Sequence, residues 1–152
     1  MLNILLNQKA TLAQEHHIEF QFHCAQNTAP ENVSEAHLLS QISDYDLCAL
    51  CGNLLDNGIE HNGGTDPYLY LDLFSDYAGN TVLRMENSCQ TPPVLQEGIF
   101  VSCKADVASH GNGMKQIQHI AEQYGGTVSW QYDAEGERFI TQCMFEKLEN
   151  RV

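Results

Sequence analysis

Residues 46–62 read D-L-C-A-L-C-G-N-L-L-D-N-G-I-E-H-N, and the placement of apolar and amide side chains along this stretch decides the fold. Leu47, Cys51, Leu54, Leu55 and Gly58 recur at helical spacing and form a core-facing stripe, while Asn53, Asn57 and Glu60 line up at i, i+4 and i+7 on another side. Asparagine is a mediocre helix former and Gly58 costs about 1 kcal/mol relative to alanine, so local propensity does not account for these choices. Amide oxygens on a rigid helix suit a hard cation such as Mg²⁺, which takes oxygen ligands and keeps several waters. A solvated polar helix face is the plainer alternative.

Upstream of this helix, Ser43, Asp44 and Asp46 supply caps. Residues 34–42 are weakly periodic and read as a short helix, and residues 25–33, with Pro30, read as a linker. Before them, Ile18, Phe20, Phe22 and Cys24 alternate with Glu19, Gln21 and His23, the period of a half-buried strand. Leu2, Leu5, Leu6, Lys9, Leu12 and Ala13 fall at three- and four-residue intervals, an amphipathic helix that begins without a cap and is expected to continue upstream in a longer parent.

Downstream, residues 61–67 are turn chemistry. Residues 68–74 and 81–86 read as a hairpin around the turn at 76–80. Residues 90–109 show no sustained period and open with Pro92 and Pro93, a connection of about twenty residues that reads as a lid. It ends in H-G-N-G-M-K at 110–115, after which Met114, Ile117, Ile120, Ala121 and Tyr124 mark a second amphipathic helix closed by Gly125 and Gly126. Residues 127–132 and 139–145 alternate around a turn at 133–136.

A chain of 152 residues is one domain with room for a proper core. Its net charge of −13, with seven scattered Lys and Arg, offers no basic stripe for a nucleic acid and argues against an acidic membrane surface. No apolar run approaches the ~18 residues of a membrane span. The cysteines form no disulfide framework, which fits a reducing cytoplasm, whether or not a parent protein is membrane-anchored. Cys48 and Cys51 form a C-x-x-C, but both fall inside one helix with no second pair at matching spacing, so core packing is favoured over zinc.

Glycines immediately before a helix start let an anion approach outward-pointing N–H groups, so residues 110–115 make a reasonable phosphate cradle. A lone G-x-G is a weak signal, and this one is neither a Walker loop nor a dinucleotide fingerprint.

The order helix, strand, helix, hairpin, lid, glycine turn, helix, hairpin gives an α+β fold, a two-layer sandwich of a mixed, mostly antiparallel sheet with helices on one face. It resembles the Bergerat-fold ATP-binding domain shared by sensor histidine kinases, gyrases, heat-shock chaperones and mismatch-repair proteins. N-L-L-D-N-G-I-E at 53–60 is similar to that family's asparagine box, L-R-M-E-N-S at 83–88 to the strand entering its first glycine box, and H-G-N-G-M-K with Y-G-G-T-V to its second. The combination with S-C-K at 102–104 resembles the histidine kinases that act as bacterial peptide-sensing receptors.

The resemblance implies ATP and Mg as cofactors. Asn57 matches the magnesium ligand, and Asn53 takes the position of the glutamate base of hydrolytic relatives, a catalytic position where an amide favours transfer over hydrolysis. Asn87 matches the aspartate that accepts from the adenine amino group, although the D-x-G-x-G pattern is absent. Gly111 and Gly113 match the glycines under the phosphates, with Lys104, His110 and Lys115 nearby. Asn112, Met114 and Gly58 depart from the subgroup's usual residues.

On this resemblance residues 1–15 are the end of a preceding helix, 16–146 the catalytic domain and 147–152 a tail. The implied partners are ATP, a histidine-bearing dimerisation hairpin of the parent kinase and, indirectly, a response regulator. No nucleic acid or direct membrane contact is expected. The acceptor histidine is expected outside this chain, because His16, His17 and His37 read as ordinary surface residues. The alternatives are a degenerate nucleotide- or partner-binding module without transferase activity, and a serine kinase of the anti-sigma-factor type.

Overall fold

The computed structural model describes residues 1–25, 41–96, 99–101 and 112–147. Its elements run α1 (Leu2–Glu15), β1 (Glu19–Ala25), α2 (Asp44–Glu60), β2 (Tyr68–Ser75), β3 (Thr81–Ser88), β4 (Val94–Gln96), β5 (Ile99–Val101), α3 (Asn112–Gln123), β6 (Thr127–Asp133) and β7 (Arg138–Phe145). Five strands form one sheet in the order β1-β2-β3-β7-β6. β1 runs parallel to β2, and the other pairings are antiparallel, so the expected mixed α+β sheet is present.

Period-two alternation sorts the sheet into two faces. Leu69, Leu71 and Leu73 of β2, Leu83 and Met85 of β3, and Cys143 and Phe145 of β7 enter a core with Leu47, Leu50, Leu54 and Leu55 of α2, Ile117 and Ala121 of α3, and Leu6 and Ala13 of α1. The other face carries a polar network: Glu86 accepts from Tyr68 Oη (3.0 Å), Arg84 (2.8 Å) and Arg138 (3.3 Å).

The Ser43 hydroxyl caps α2 by accepting from the Asp46 N–H at 3.1 Å. The helix begins at Asp44, two residues before the quoted stretch, because Ser43 satisfies an orphan donor of its first turn, and it ends at Glu60, where the turn expected at 61–67 begins. Gly58 has a packing reason: a Cβ there would lie 2.3 Å from Leu69 Cδ1 and 2.9 Å from Met85 Sδ. Helix and sheet approach closely only because that atom is missing.

Cys51 and Cys143 are buried, and desolvation pushes both thiols up to about 12. Cys51 of the C-x-x-C is part of the core, and among the described residues no group of three or more His, Cys, Asp or Glu is arranged to hold a metal. Nor is any described helix long and apolar enough to cross a membrane.

The expected linker and short helix at 25–42 fall largely on residues 26–40, outside the described residues. Within the expected lid, β4 and β5 pair as a short antiparallel ribbon. Three-residue strands leave too short a period to read. Residues 102–111, with Lys104, His110 and Gly111, lie outside the described residues.

Candidate functional site

Helix α3 lies antiparallel to α2. At one end the Tyr124 hydroxyl donates to Asp46 and accepts from the Ser43 N–H (3.2 Å), and the Tyr124 and Ser43 hydroxyls hold the Asp46 carboxyl below its ordinary range. This pairing brings the first turn of α3 onto the amide stripe of α2. Asn57 Nδ2 donates to Met114 Sδ at 2.9 Å, and Asn53 Nδ2 donates to Ala49 O at 2.8 Å and Gln116 Oε1 at 3.0 Å. Both amide oxygens face Gly113, where a Cβ would lie 3.3 Å from Asn57 Oδ1 and 3.5 Å from Asn53 Oδ1. The glycine expected beneath phosphates also keeps the helices close enough for these two asparagines to share one spot.

Beside that spot is a cavity of about 220 Å³. It is lined by Asn57 and Glu60 of α2, by His61, Asn62 and Gly63 just after that helix, by residues 89–93, and by Met114 and Phe139. Cys89 and Phe139 are buried and pack with Met114, Trp130 and Tyr132, so the lining combines an apolar cluster with the polar side chains of Asn57, Glu60 and Asn62. This is the mixed lining of a small-molecule site.

Asn87 is 0% exposed and is not part of the lining; Phe139, its register partner on β7, is. Its Nδ2 donates to Ser88 O at 3.0 Å, while its Oδ1 has no hydrogen-bond partner among the described residues. Thr141 Oγ1, on the same inner face of the neighbouring strand, is likewise buried and unpartnered. Buried acceptors are normally paired, and an exception calls for an explanation such as a ligand or an ordered water. Thr141 was not among the candidates drawn from the sequence. The available signal was a hydroxyl interrupting the inward series Phe139, Cys143 and Phe145.

Of the other candidates, Lys115 is exposed on α3. Asp56 faces away from the cavity and pairs with Lys9 of α1. Glu60, Asn62, Met114 and Phe139 are brought to the cavity although they were not named as site residues. A hard cation here would find neutral amide oxygen on α2 and would need phosphate and water oxygens for the rest of its shell.

Residues 42–146 match the family model described as a GHKL domain. No curated protein matches the chain. Among solved structures, the catalytic domain of the histidine kinase ThkA aligns with a TM-score of 0.62 at 18% identity, covering 96% of this chain and 92% of that one. The mycobacterial sensor histidine kinase MprB aligns with a TM-score of 0.61 at 14% identity, covering 94% and 93%. Full-length ShkA in complex with AMPPNP aligns with a TM-score of 0.59 at 16% identity, covering 93% of this chain and 29% of that one. At these identities the structures establish a shared fold; the family match, which spans the amide stripe, the cavity and both hairpins, establishes that the chain belongs to the GHKL domain family.

Proposed function

We propose that this domain binds Mg-ATP and serves as the catalytic domain of a sensor histidine kinase, presenting the γ-phosphate to a histidine on the parent's dimerisation hairpin, from which a response regulator draws the phosphoryl group. The observation that carries it is the unpaired, fully buried Asn87 Oδ1, an acceptor suited to the adenine amino group and positioned on the strand that ends at the cavity. The AMPPNP complex of ShkA is consistent with a nucleotide in this fold. The finer likeness to peptide-sensing receptor kinases rests on the combination of motifs at 46–57, 86–88, 102–104 and 110–113.

In this reading Asn57 Oδ1 is the protein ligand to magnesium, which when bound neutralises phosphate charge. Gly111 and Gly113 give the phosphates access to backbone N–H groups at the start of α3. Lys104, His110 and Lys115 supply donors around them. Asn53 is bonded through its amide to Gln116 and cannot take a proton from water, so the site holds ATP for transfer.

The test is titration calorimetry of the full chain with ATP, with and without magnesium, followed by incubation with labelled ATP and a fragment carrying the hairpin histidine. Magnesium-dependent binding and label on the fragment are expected. Binding without transfer would reduce the proposal to a nucleotide-binding module, and no binding would favour a degenerate partner-binding domain.

A further inference from the structure

Where Asn62 and Gly63 line the cavity, the chain ties itself into a polar knot. Asn62 follows the C-cap of α2 and uses both ends of its amide: Nδ2 donates to Gly58 O (3.2 Å) and Tyr68 O (2.8 Å), and Oδ1 accepts from Ser88 Oγ (2.6 Å). Ser88 Oγ also accepts from the Tyr68 N–H at 3.0 Å. The Ser88 carbonyl accepts from the Gly63 N–H at 3.2 Å and from Asn87 Nδ2 at 3.0 Å. The end of α2, the start of β2 and the end of β3 are thus joined through two side chains, Asn62 and Ser88.

Only an amide of this length meets the knot's demands. Aspartate has no proton to give Gly58 O and Tyr68 O, and serine has a shorter reach and one proton where two carbonyls are to be met. Asn62 and Gly63 line the cavity, and Ser88, which is 6% exposed, adjoins Asn87 in sequence.

We infer that Asn62 is a positioning residue for base recognition: through Ser88 it holds the Asn87 amide with its nitrogen on the Ser88 carbonyl and its oxygen free for the base. This rests on the ATP-binding reading above. An asparagine amide turned over presents a donor where it had presented an acceptor. Adenine carries an amino donor at the position where guanine carries a carbonyl acceptor, so the orientation of Asn87 decides which base is accepted. Without Asn62, the Ser88 hydroxyl loses its close acceptor and keeps Tyr68 O at 3.5 Å, the side-chain tie between the end of α2 and β3 is cut, and the Asn87 amide is no longer held to one orientation.

The experiment uses the full chain, with ATP and GTP affinities measured by titration calorimetry in magnesium and melting temperatures recorded in parallel. The wild type is expected to prefer ATP by roughly tenfold or more, the equivalent of one well-placed hydrogen bond. Asn62→Ala and Ser88→Ala should each bring the two affinities to within about threefold of each other, with the double variant no worse than either single one. Ser88→Thr, which keeps the hydroxyl, should retain the preference. In an Asn87→Asp background, Asn62→Ala should leave the preference for ATP intact, because a carboxylate presents an acceptor at both ends.

Variants that melt earlier yet keep the ATP preference would overturn the inference and leave the knot a structural staple. So would losses that simply add in the double variant. If Asn62→Ala does not fold, the Ser88→Ala and Ser88→Thr pair decides by the same ratio. A wild-type chain that binds neither nucleotide removes the ATP reading itself, and the inference with it.

Discussion

Replacing Asn87 by leucine should make the protein more stable and unable to bind ATP. The side chain is 0% exposed, and its register neighbours across β2 and β7 are the buried Leu69 and Phe139. Its unpaired Oδ1 carries a desolvation penalty of about 1–3 kcal/mol, which an apolar side chain of similar shape removes. Against this, the variant loses the bond from Asn87 Nδ2 to Ser88 O, worth about 0.5–1.5 kcal/mol. That carbonyl keeps its second partner, the Gly63 N–H at 3.2 Å. The balance favours the variant by about 1 kcal/mol, a rise in melting temperature of roughly 2–4 °C for a domain of this size. Melting of the nucleotide-free protein with ATP titration of both forms measures the two effects separately. Asn87→Asp serves as the control: it keeps an acceptor, so ATP binding should persist, while a buried carboxylate beside the Ser88 carbonyl should lower the melting temperature. An Asn87→Leu protein that melts earlier than wild type, or binds ATP as tightly, would refute the assignment of an acceptor reserved for a ligand.

Asn57→Ala should abolish the magnesium-dependent part of ATP binding and leave the fold intact, as calorimetry in magnesium and in chelator will show. Gly58→Ala should cost about 1–3 kcal/mol in denaturant unfolding, since its Cβ would lie 2.3 Å from Leu69 Cδ1. Gly113→Val should weaken ATP binding more than it lowers the melting temperature, because the added side chain crowds Asn57 and Asn53 Oδ1. The burial that pushes Cys51 and Cys143 up to about 12 keeps both as thiols at pH 8, so peptide mapping after iodoacetamide treatment of the folded protein should find them unmodified.

The sequence discloses elements whose periodicity is long and undiluted. α2, α3 and both hairpins are legible because each repeats its apolar spacing over several turns or pleats. Asn53 and Asn57 are legible as a pair because an amide stripe is locally unfavourable and therefore selected for something else. Other features depend on contacts that no local pattern encodes. Asn62 reads as part of the turn that stops α2, and nothing in its spacing says that its amide bridges to β3. Gly58 reads as a helix weakness until Leu69 is seen against it. Thr141 is a hydroxyl in an apolar alternation, and only three-dimensional proximity to Asn87 makes two unpaired acceptors into one place. Most of the expected linker at 25–33 and short helix at 34–42, and the positions of Lys104, His110 and Gly111, lie outside the described residues.

The choice of amides over carboxylates along α2 follows from charge. The chain carries 20 acidic and 7 basic residues, and the proposed ligand is a polyanion. Two like charges 4 Å apart oppose each other by about 4 kcal/mol at the effective dielectric of a protein surface. A carboxylate at both Asn53 and Asn57 would set that repulsion directly against the phosphates. α2 instead directs Asp56 away from the cavity to Lys9 and presents neutral oxygens at 53 and 57. Glu60 is the carboxylate of α2 that still lines the cavity. Its charge favours a cation arriving with the nucleotide and disfavours the nucleotide alone. In the proposed site, then, magnesium dependence comes from the whole wall of α2: Asn57 supplies an oxygen without adding charge, and Glu60 supplies negative potential that metal-free ATP must overcome.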